Sequence, residues 1–378
     1  TPLYSSAASD VYKRQHHALA VIRRRSGAQH VGRSSSPWAP WALLLAAFVV
    51  SATIFAFVNA GNDPADFNIA LTLVVGLIFY MVLIFVISTV VESRRHAIDR
   101  LMTALVSGAF VVALLPLISL LYTVVVNGLM RFDGEFFSFS MRNIVGEGGG
   151  AVHAIWGTLL ITLGATIISV PIGLMTSIYL VEYGEGRKLA RGITFLVDVM
   201  TGIPSIVAGL FIYSVFSLIV GPGTRMGIMG SLALSVLMIP VVVRGSEELL
   251  RIVPNELREA AYALGVPKWL TIIKVVLPTA IAGILTSIML AISRVIGETA
   301  PLLLTVGIVQ GMNLNMFSGQ MATLPVFSYM QAKYPGIPVD AYLDRAWAAA
   351  LTLIVIVMVL NLLARIIAKV FAPKINGR

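Results

Sequence analysis

The chain has no cysteine among its 378 residues, which excludes disulfides, thiol nucleophiles and Cys-ligated metals. Charge is scarce too. Asp, Glu, Lys and Arg make up 12% of the residues, about half the share of a soluble domain. The five histidines, His16, His17, His30, His96 and His153, form no H-E-x-x-H motif or other tight metal-binding cluster. A G-x-x-x-x-G-K-[ST] loop is missing, so the chain does not hydrolyse ATP by that machinery. No G-x-S-x-G nucleophile elbow is present either. What remains is apolar: 58% hydrophobic residues and a mean hydropathy of +0.90. The apolar runs are about 20 residues or longer, the length of membrane-crossing helices, whereas barrel strands are about 10 residues of alternating pattern. The expected fold class is all-α, a polytopic membrane protein. The net charge of +9 is read as a topology signal rather than a nucleic-acid surface.

Eight spans are expected: Trp41–Ala60, Ile69–Val91, Leu101–Val126, Val152–Leu180, Ile193–Val220, Met226–Val243, Ala280–Ile308 and Trp347–Phe371. The cations between them support this. One set of segments carries Arg23, Arg24, Arg25 and Arg33, then Arg94, Arg95 and Arg100. It continues with Arg187, Lys188 and Arg191, then Arg244, Arg251, Arg258, Lys268 and Lys274, and finally Arg365, Lys369, Lys374 and Arg378. The other set holds only Arg131, Arg142, Arg225, Lys333 and Arg345. The richer side is cytoplasmic, and both termini are expected there.

Residues 1–37 read as a basic disordered tail. Within it, Tyr4 to Gln15 look like translated adapter and are set aside from fold reasoning. No cleavable signal peptide is expected, because the first apolar run begins late and is long enough to span. Residues 38–100 read as an accessory hairpin turning at Gly61-Asn62-Asp63-Pro64. Residues 101–150 form a first core helix and outer loop, and 151–372 a core containing the inner loop 245–278. A short tail, 373–378, follows. The outer loops Asn127 to Gly150, rich in Phe, and Gly311 to Arg345 are the expected landing surface for an outside partner.

The inner loop is the most informative segment. Glu259-Ala260-Ala261 is followed by Gly265 and then by Leu277-Pro278. Asn255 is expected to cap a helix running from Glu256 to Leu264. Gly265 supplies a left-handed stop, and Pro267 opens a second helix carrying Trp269. Ala260, Ala261 and Ala263 make a small-residue face open to close approach. This E-A-A pattern resembles the cytoplasmic loop of importer-type ABC permeases. The resemblance implies that the helix docks on a separate ATP-hydrolysing subunit, with Glu259, Ala260, Ala261, Gly265, Leu277 and Pro278 as coupling residues.

Charges inside the spans are the second signal. Arg294 and Glu298 stand four apart, on one face of a continuous helix. Each costs roughly 2.5–3.5 kcal/mol at mid-bilayer on insertion scales. They either neutralise each other as a packing lock or serve a path for an anion, which a guanidinium fork suits. Asp198, in the fifth span, either pairs with an inner-loop arginine or lines the path. Gly202 and Pro204 after it break the helix and are expected to act as a hinge. Arg244 ends the sixth span, where it either snorkels to the surface or joins the path.

The run Arg294-Val295-Ile296-Gly297-Glu298-Thr299-Ala300-Pro301 resembles the permeases of phosphate importers, the PstA kind most. Tyr179 to Tyr183 and Gly202 to Val207 fit the same family. The resemblance implies a type I ABC importer (MetI-like) fold in the bacterial inner membrane. It also implies phosphate as substrate, with Arg294, Glu298, Thr299, Asp198 and Arg244 along its path. The implied partners are a related PstC-like permease, PstB-like subunits holding ATP and Mg, and a PstS-like phosphate-binding protein, with membrane lipid around them. No cofactor is expected in this chain, and it is not expected to be an enzyme. The alternatives are the same machine carrying sulfate or molybdate, a standalone ion-coupled transporter or channel, and a membrane enzyme acting on lipid.

Overall fold

The computed structural model describes residues 38–58, 69–91 and 94–371. The expected basic tail, the Gly61-Asn62-Asp63-Pro64 turn and the segment from 373 lie outside the described residues. Among the described residues, every regular element is a helix. The chain divides into two units, residues 1–120 and 121–378.

The first unit holds α1 (Ala39–Val58), α2 (Ile69–Val91) and most of α3 (Arg94–Gly128). Apolarity along these segments, without amphipathic bias, makes them helices that bury their own backbone polar groups in lipid. Ser51 Oγ donates to the Thr72 carbonyl at 2.8 Å, joining α1 to α2. The bare Gly76 lets the Phe48 ring lie where a Cβ would have it 2.5 Å away.

The second unit begins with the end of α3 and a one-turn 3₁₀ helix, Leu129–Arg131. Then come α4 (Gly134–Ser138), α5 (Val152–Ile178) with a π-helical turn at Tyr179–Tyr183, α6 (Lys188–Thr201) and α7 (Ser205–Ile219). After α8 (Gly227–Ile252) and α9 (Asn255–Ala263), α10 (Lys268–Thr271) runs through a second π turn, Ile272–Val276, into α11 (Leu277–Val295). The rest is α12 (Ala300–Thr305), α13 (Leu324–Lys333) and α14 (Val339–Phe371). Helix α8 is the hub. The most apolar stretch of α8 is 61% buried, against 33% for the span containing α5. Small residues bring α5 and α8 together: Ser231 Oγ donates to the Ile161 carbonyl at 2.9 Å, and Gly164 and Gly173 face Ser231 and Val242. Such close backbone approach is how helices associate where lipid supplies no hydrophobic drive.

Among the described residues, seven helices are long and apolar enough to cross a membrane, and the pair α6–α7 makes an eighth if it counts as one span. The expected fifth span is therefore not one rod. Helices α6 and α7 meet at 107°, because Pro204 has no N–H to continue the ladder and pushes Ile203 out of helical geometry. The sixth span continues to Ile252, so Arg244 lies inside α8 rather than at its end. The seventh stops at Val295 and restarts at Ala300. The eighth begins at Val339, which takes Arg345 out of the outer loop and into a helix. Arg345 is fully buried and donates to the carbonyls of Gly146 (2.8 Å) and Gly148 (2.9 Å). The outer segment 127–150 is correspondingly folded down: Phe136 is fully buried and meets Phe137 edge-on at 5.3 Å, while Phe139 stays exposed.

Candidate functional site

The inner loop folds as helix, turn, helix. Helix α9 begins at Asn255 with Pro254 as its N-cap and no side-chain cap, so Asn255 is the first helical residue and not the expected cap. Its amide oxygen instead accepts from Arg258 Nη1 at 3.2 Å. Gly265 has φ +76°. Its N–H donates to Tyr262 (2.9 Å), and Val266 N–H reaches back to Ala261 (3.1 Å), closing the helix as a left-handed cap does. Nothing lies within 4 Å of where a Cβ at Gly265 would stand. Pro267 is the N-cap of α10, one residue before the expected first turn. Glu259, Ala260 and Ala263 are exposed, whereas Ala261 is buried. The open small-residue face is thus Ala260 and Ala263, because Ala261 packs inward. Leu264 (84% exposed) and Trp269 (58%) project from the same loop. Pro278, exposed, follows half-buried Leu277 at the start of α11.

Two contacts fasten this loop to the π turn that ends α5. Glu182, with a side chain only 4% exposed, accepts from Arg258 Nε (3.0 Å) and Nη2 (2.9 Å). Arg258 also donates to the carbonyls of Val253 (2.6 Å) and Leu250 (2.9 Å). Lys268 Nζ lies 5.1 Å above the Tyr183 ring, an attractive cation–π geometry. Burial, together with the Glu182 charge, pushes the Tyr262 phenol above its ordinary pKa. The loop is therefore a braced platform.

Asp198 and Arg244 come together. Arg244 pairs with Asp198, donates to Glu247 Oε2 at 2.9 Å and reaches the Thr194 carbonyl at 3.4 Å. Glu247, buried, also accepts from Arg251 at 2.8 Å. This four-membered ion network ties α6 to α8. It satisfies Asp198 in the manner of the interface pairing, and Arg244 is engaged rather than snorkelling freely.

Arg294 and Glu298 do not come together. Helix α11 ends at Val295, and Glu298 N–H donates back to the Val295 carbonyl at 3.1 Å in the turn beyond. The expected shared helical face is lost because Pro301 opens a new helix, which its fixed φ and missing N–H favour. Among the described residues, no ion pair joins Arg294 or Glu298 to any group, so the packing-lock alternative has no ion pair behind it. Arg294 is exposed on this chain, while Glu298 and Thr299 are half-buried. Nor does any hydrogen bond or ion pair link these three residues to Asp198 and Arg244. Gly202 and Pro204, expected as a hinge, stand where the chain bends, with Gly202 closing α6 and Pro204 preceding α7.

Sequence reasoning passed over three polar groups. Glu182 and Glu247 carry the two inner ion networks. Asn361, in α14, donates to Ser293 Oγ at 3.1 Å and ties α14 to α11 beside Arg294. Each is a polar residue beside or within an apolar run, which is the signal that was available.

Residues 169–377 match a family described as binding-protein-dependent transport system inner membrane component. The phosphate transport system permease protein PstA 1 of Mycobacterium tuberculosis (strain H37Rv) is 46% identical over 277 residues, covering 72% of this chain and 88% of that one. The phosphate transport system permease protein PstA of Yersinia pestis is 38% identical over 293 residues, 76% of this chain and 96% of that one. Among solved structures, a chain of the MetNI methionine ABC transporter in an inward-facing conformation aligns at 22% identity, 58% and 95% coverage and TM-score 0.48.

Proposed function

Because this chain belongs to the family of binding-protein-dependent transport system inner membrane components, we propose that it is the transmembrane permease subunit of an ATP-driven importer of inorganic phosphate. The observation that carries this is the similarity to phosphate transport system permeases, over 88–96% of their length and 72–76% of this chain. It is a multi-pass inner-membrane protein, with seven or eight candidate spans among the described residues. Two ATP-hydrolysing subunits dock beneath the permease pair, one of them on the platform of α9, Gly265 and α10, which exposes Glu259, Leu264 and Trp269. A related permease completes the pathway, and a phosphate-binding protein delivers the anion from outside.

Transport proceeds by alternating access. ATP binding draws the ATPases together, and the platform passes that motion to α5 through Glu182–Arg258 and to α11 through the second π turn. Arg294, which has no ion-pair partner among the described residues, offers an anion a fixed guanidinium, and Glu298 and Thr299 stand in the adjoining turn. The Asp198–Arg244 network and the bend at Gly202 and Pro204 lie nearer the cytoplasm, where α6 swings against α8.

The test is labelled-phosphate uptake by vesicles holding this chain and its partner subunits, with and without ATP, against excess sulfate. ATP-dependent uptake that sulfate leaves unchanged is the expected result. Competition by sulfate would overturn the cargo, and uptake indifferent to ATP would overturn the machine. In the same assay Glu298→Gln lowers phosphate flux roughly tenfold, the scale of about 1.4 kcal/mol, with assembly intact. Full flux at normal protein level would remove Glu298 from the path.

A further inference from the structure

The first turn of α5, helix α13 and the first turn of α14 enclose a cavity of about 190 Å³. Sites for drug-sized ligands run to roughly 300–1,000 Å³, so this one suits a small ion. Exposed Gln310 and Tyr334 stand at its mouth, and buried His153 and Phe327 line its depth. Phe327, Met330, Gln331 and Tyr334 stand at i, i+3, i+4 and i+7, one face of α13 and its C-cap.

Two buried polar groups at this cavity lack a full set of partners. His153 is 2% exposed, and its ring meets Phe327 edge-on at 5.5 Å. Its Nδ1 is buried without a hydrogen-bond partner. Buried polar atoms are nearly always bonded, so an orphan on a cavity wall calls for an explanation. The second group stands behind the wall. Arg345, fully buried, donates from Nε to Gln331 Oε1 at 3.2 Å and lies 4.4 Å from the centre of the Tyr342 ring. Gln331 and Tyr342 both line the cavity. Arg345 Nη2 is buried without a partner. Glu147, Asp340 and Asp344 share a separate cleft with Arg345, but among the described residues none forms an ion pair with it. Buried charges are normally paired, and no acidic residue lines the cavity. The bond from Arg345 also occupies the oxygen end of the Gln331 amide, so what that side chain has left to offer is its NH₂. Donors on the wall, with an unneutralised cation behind them, are the chemistry that holds an anion.

The chain runs from the Glu298 turn to this cavity. Helix α12 starts just after Thr299. Its last residue, Thr305, accepts from the Met226 N–H at 3.1 Å, at the end of α8 that the distribution of basic residues places outside. Residues 308–310 then form part of the cavity wall. We propose that this cavity is an outer holding site for the transported oxyanion, which His153, Gln310, Gln331 and the tyrosine hydroxyls bind, with Arg345 behind them, before the ion moves inward to Glu298 and Arg294. The identity of the ion rests on the phosphate reading; the anion site itself does not.

The test is equilibrium binding of labelled inorganic phosphate to the full-length chain in nanodiscs, in an Arg294→Gln background that removes the inner guanidinium. The expected result is one phosphate held per chain. His153→Phe weakens it roughly tenfold or more, the worth of one hydrogen bond to a charged group. His153→Gln, which keeps a donor, recovers most of that affinity and so separates chemistry from folding. Gln310→Ala, at the exposed mouth, weakens binding roughly fivefold without touching the core. No phosphate held by the parent chain would overturn the proposal, as would unchanged affinity in either His153→Phe or Gln310→Ala. Sulfate held in place of phosphate, with the same dependence on His153, would support the site and sink the phosphate reading instead. ATP-dependent phosphate uptake alongside normal binding by His153→Phe would sink the site and leave that reading standing.

Discussion

Gly265 separates what the chain needs for itself from what it offers a partner. Its φ of +76° costs a side-chain-bearing residue roughly 1–2 kcal/mol, less for Asn or Asp. Nothing of this chain stands near its missing Cβ. Gly265→Asn therefore folds and retains the docked ATPase subunit. Gly265→Asp folds as well but places a charge in the proposed docking turn, where an unpaired buried charge would cost about 2 kcal/mol or more and lower affinity more than tenfold. Co-purification of the ATPase subunit with each variant checks this, and equal recovery would remove Gly265 from the interface. Glu182 is the opposite case, since every contact it makes is internal. Taking its carboxylate from Arg258 leaves a guanidinium 12% exposed and uncompensated, a loss of about 3–5 kcal/mol for a buried pair. Glu182→Ala accordingly loosens the loop, seen as new proteolytic cleavage between Val253 and Val266, while Glu182→Gln keeps an acceptor and cleaves less. The stop at Gly265 was legible from sequence because it is local backbone chemistry. The Glu182–Arg258 brace was not, because its partners lie 76 residues apart and only folding joins them.

At the scale of elements, long apolar runs made most of the spans legible, since a helix in lipid declares itself by length and composition. The breaks were harder. Gly202 and Pro204 marked the interruption of the fifth span, but not its 107° angle, which depends on how amphipathic α6 packs beside α8. At Val295 the apolar pattern runs on through Ile296, so periodicity implied one helix and put Arg294 and Glu298 on a common face. The termination is a contest between that periodicity and the helix restart at Pro301, and the restart wins because α7 packs against it: a Cβ at Gly209 would lie 2.6 Å from Pro301 Cα. Glycine also reports how tightly elements meet. A Cβ at Gly157, in α5, would lie 1.9 Å from the Ala322 carbonyl oxygen, and backbone cannot rotate away. Gly157→Ala is expected to cost about 1–3 kcal/mol or more from overpacking. Gly192, in α6, faces open space, so Gly192→Ala gains roughly 0.5–1 kcal/mol of helix stability. Thermal unfolding of the two purified variants should move in opposite directions, and a common direction would contradict the packing described for α5.

For the whole molecule, the open choice is between seven crossings and eight, and it rests on the α6–α7 pair. Helix α6 is amphipathic, carrying Lys188, Arg191 and the paired Asp198. It also exposes apolar Leu189, Phe195 and Leu196, a composition that lies in the plane of an interface. Helix α7, 15 residues long, extends about 22 Å, short of about 30 Å of hydrocarbon. The distribution of basic residues, which places Arg251 and the α9 platform inside, requires α8 to start outside, so α6 and α7 are expected to form one crossing with an elbow on the cytoplasmic surface. The lack of native cysteine makes this directly testable. Gly192→Cys, in α6, should react with a membrane-impermeant maleimide only from the cytoplasmic side. Pro222→Cys, in the turn between α7 and α8, should react only from the outside. Labelling of both from the cytoplasm would make α6–α7 a re-entrant loop. The chain would then cross seven times, its ends would lie on opposite faces, and the platform that faces the ATPases in this reading would point away from ATP.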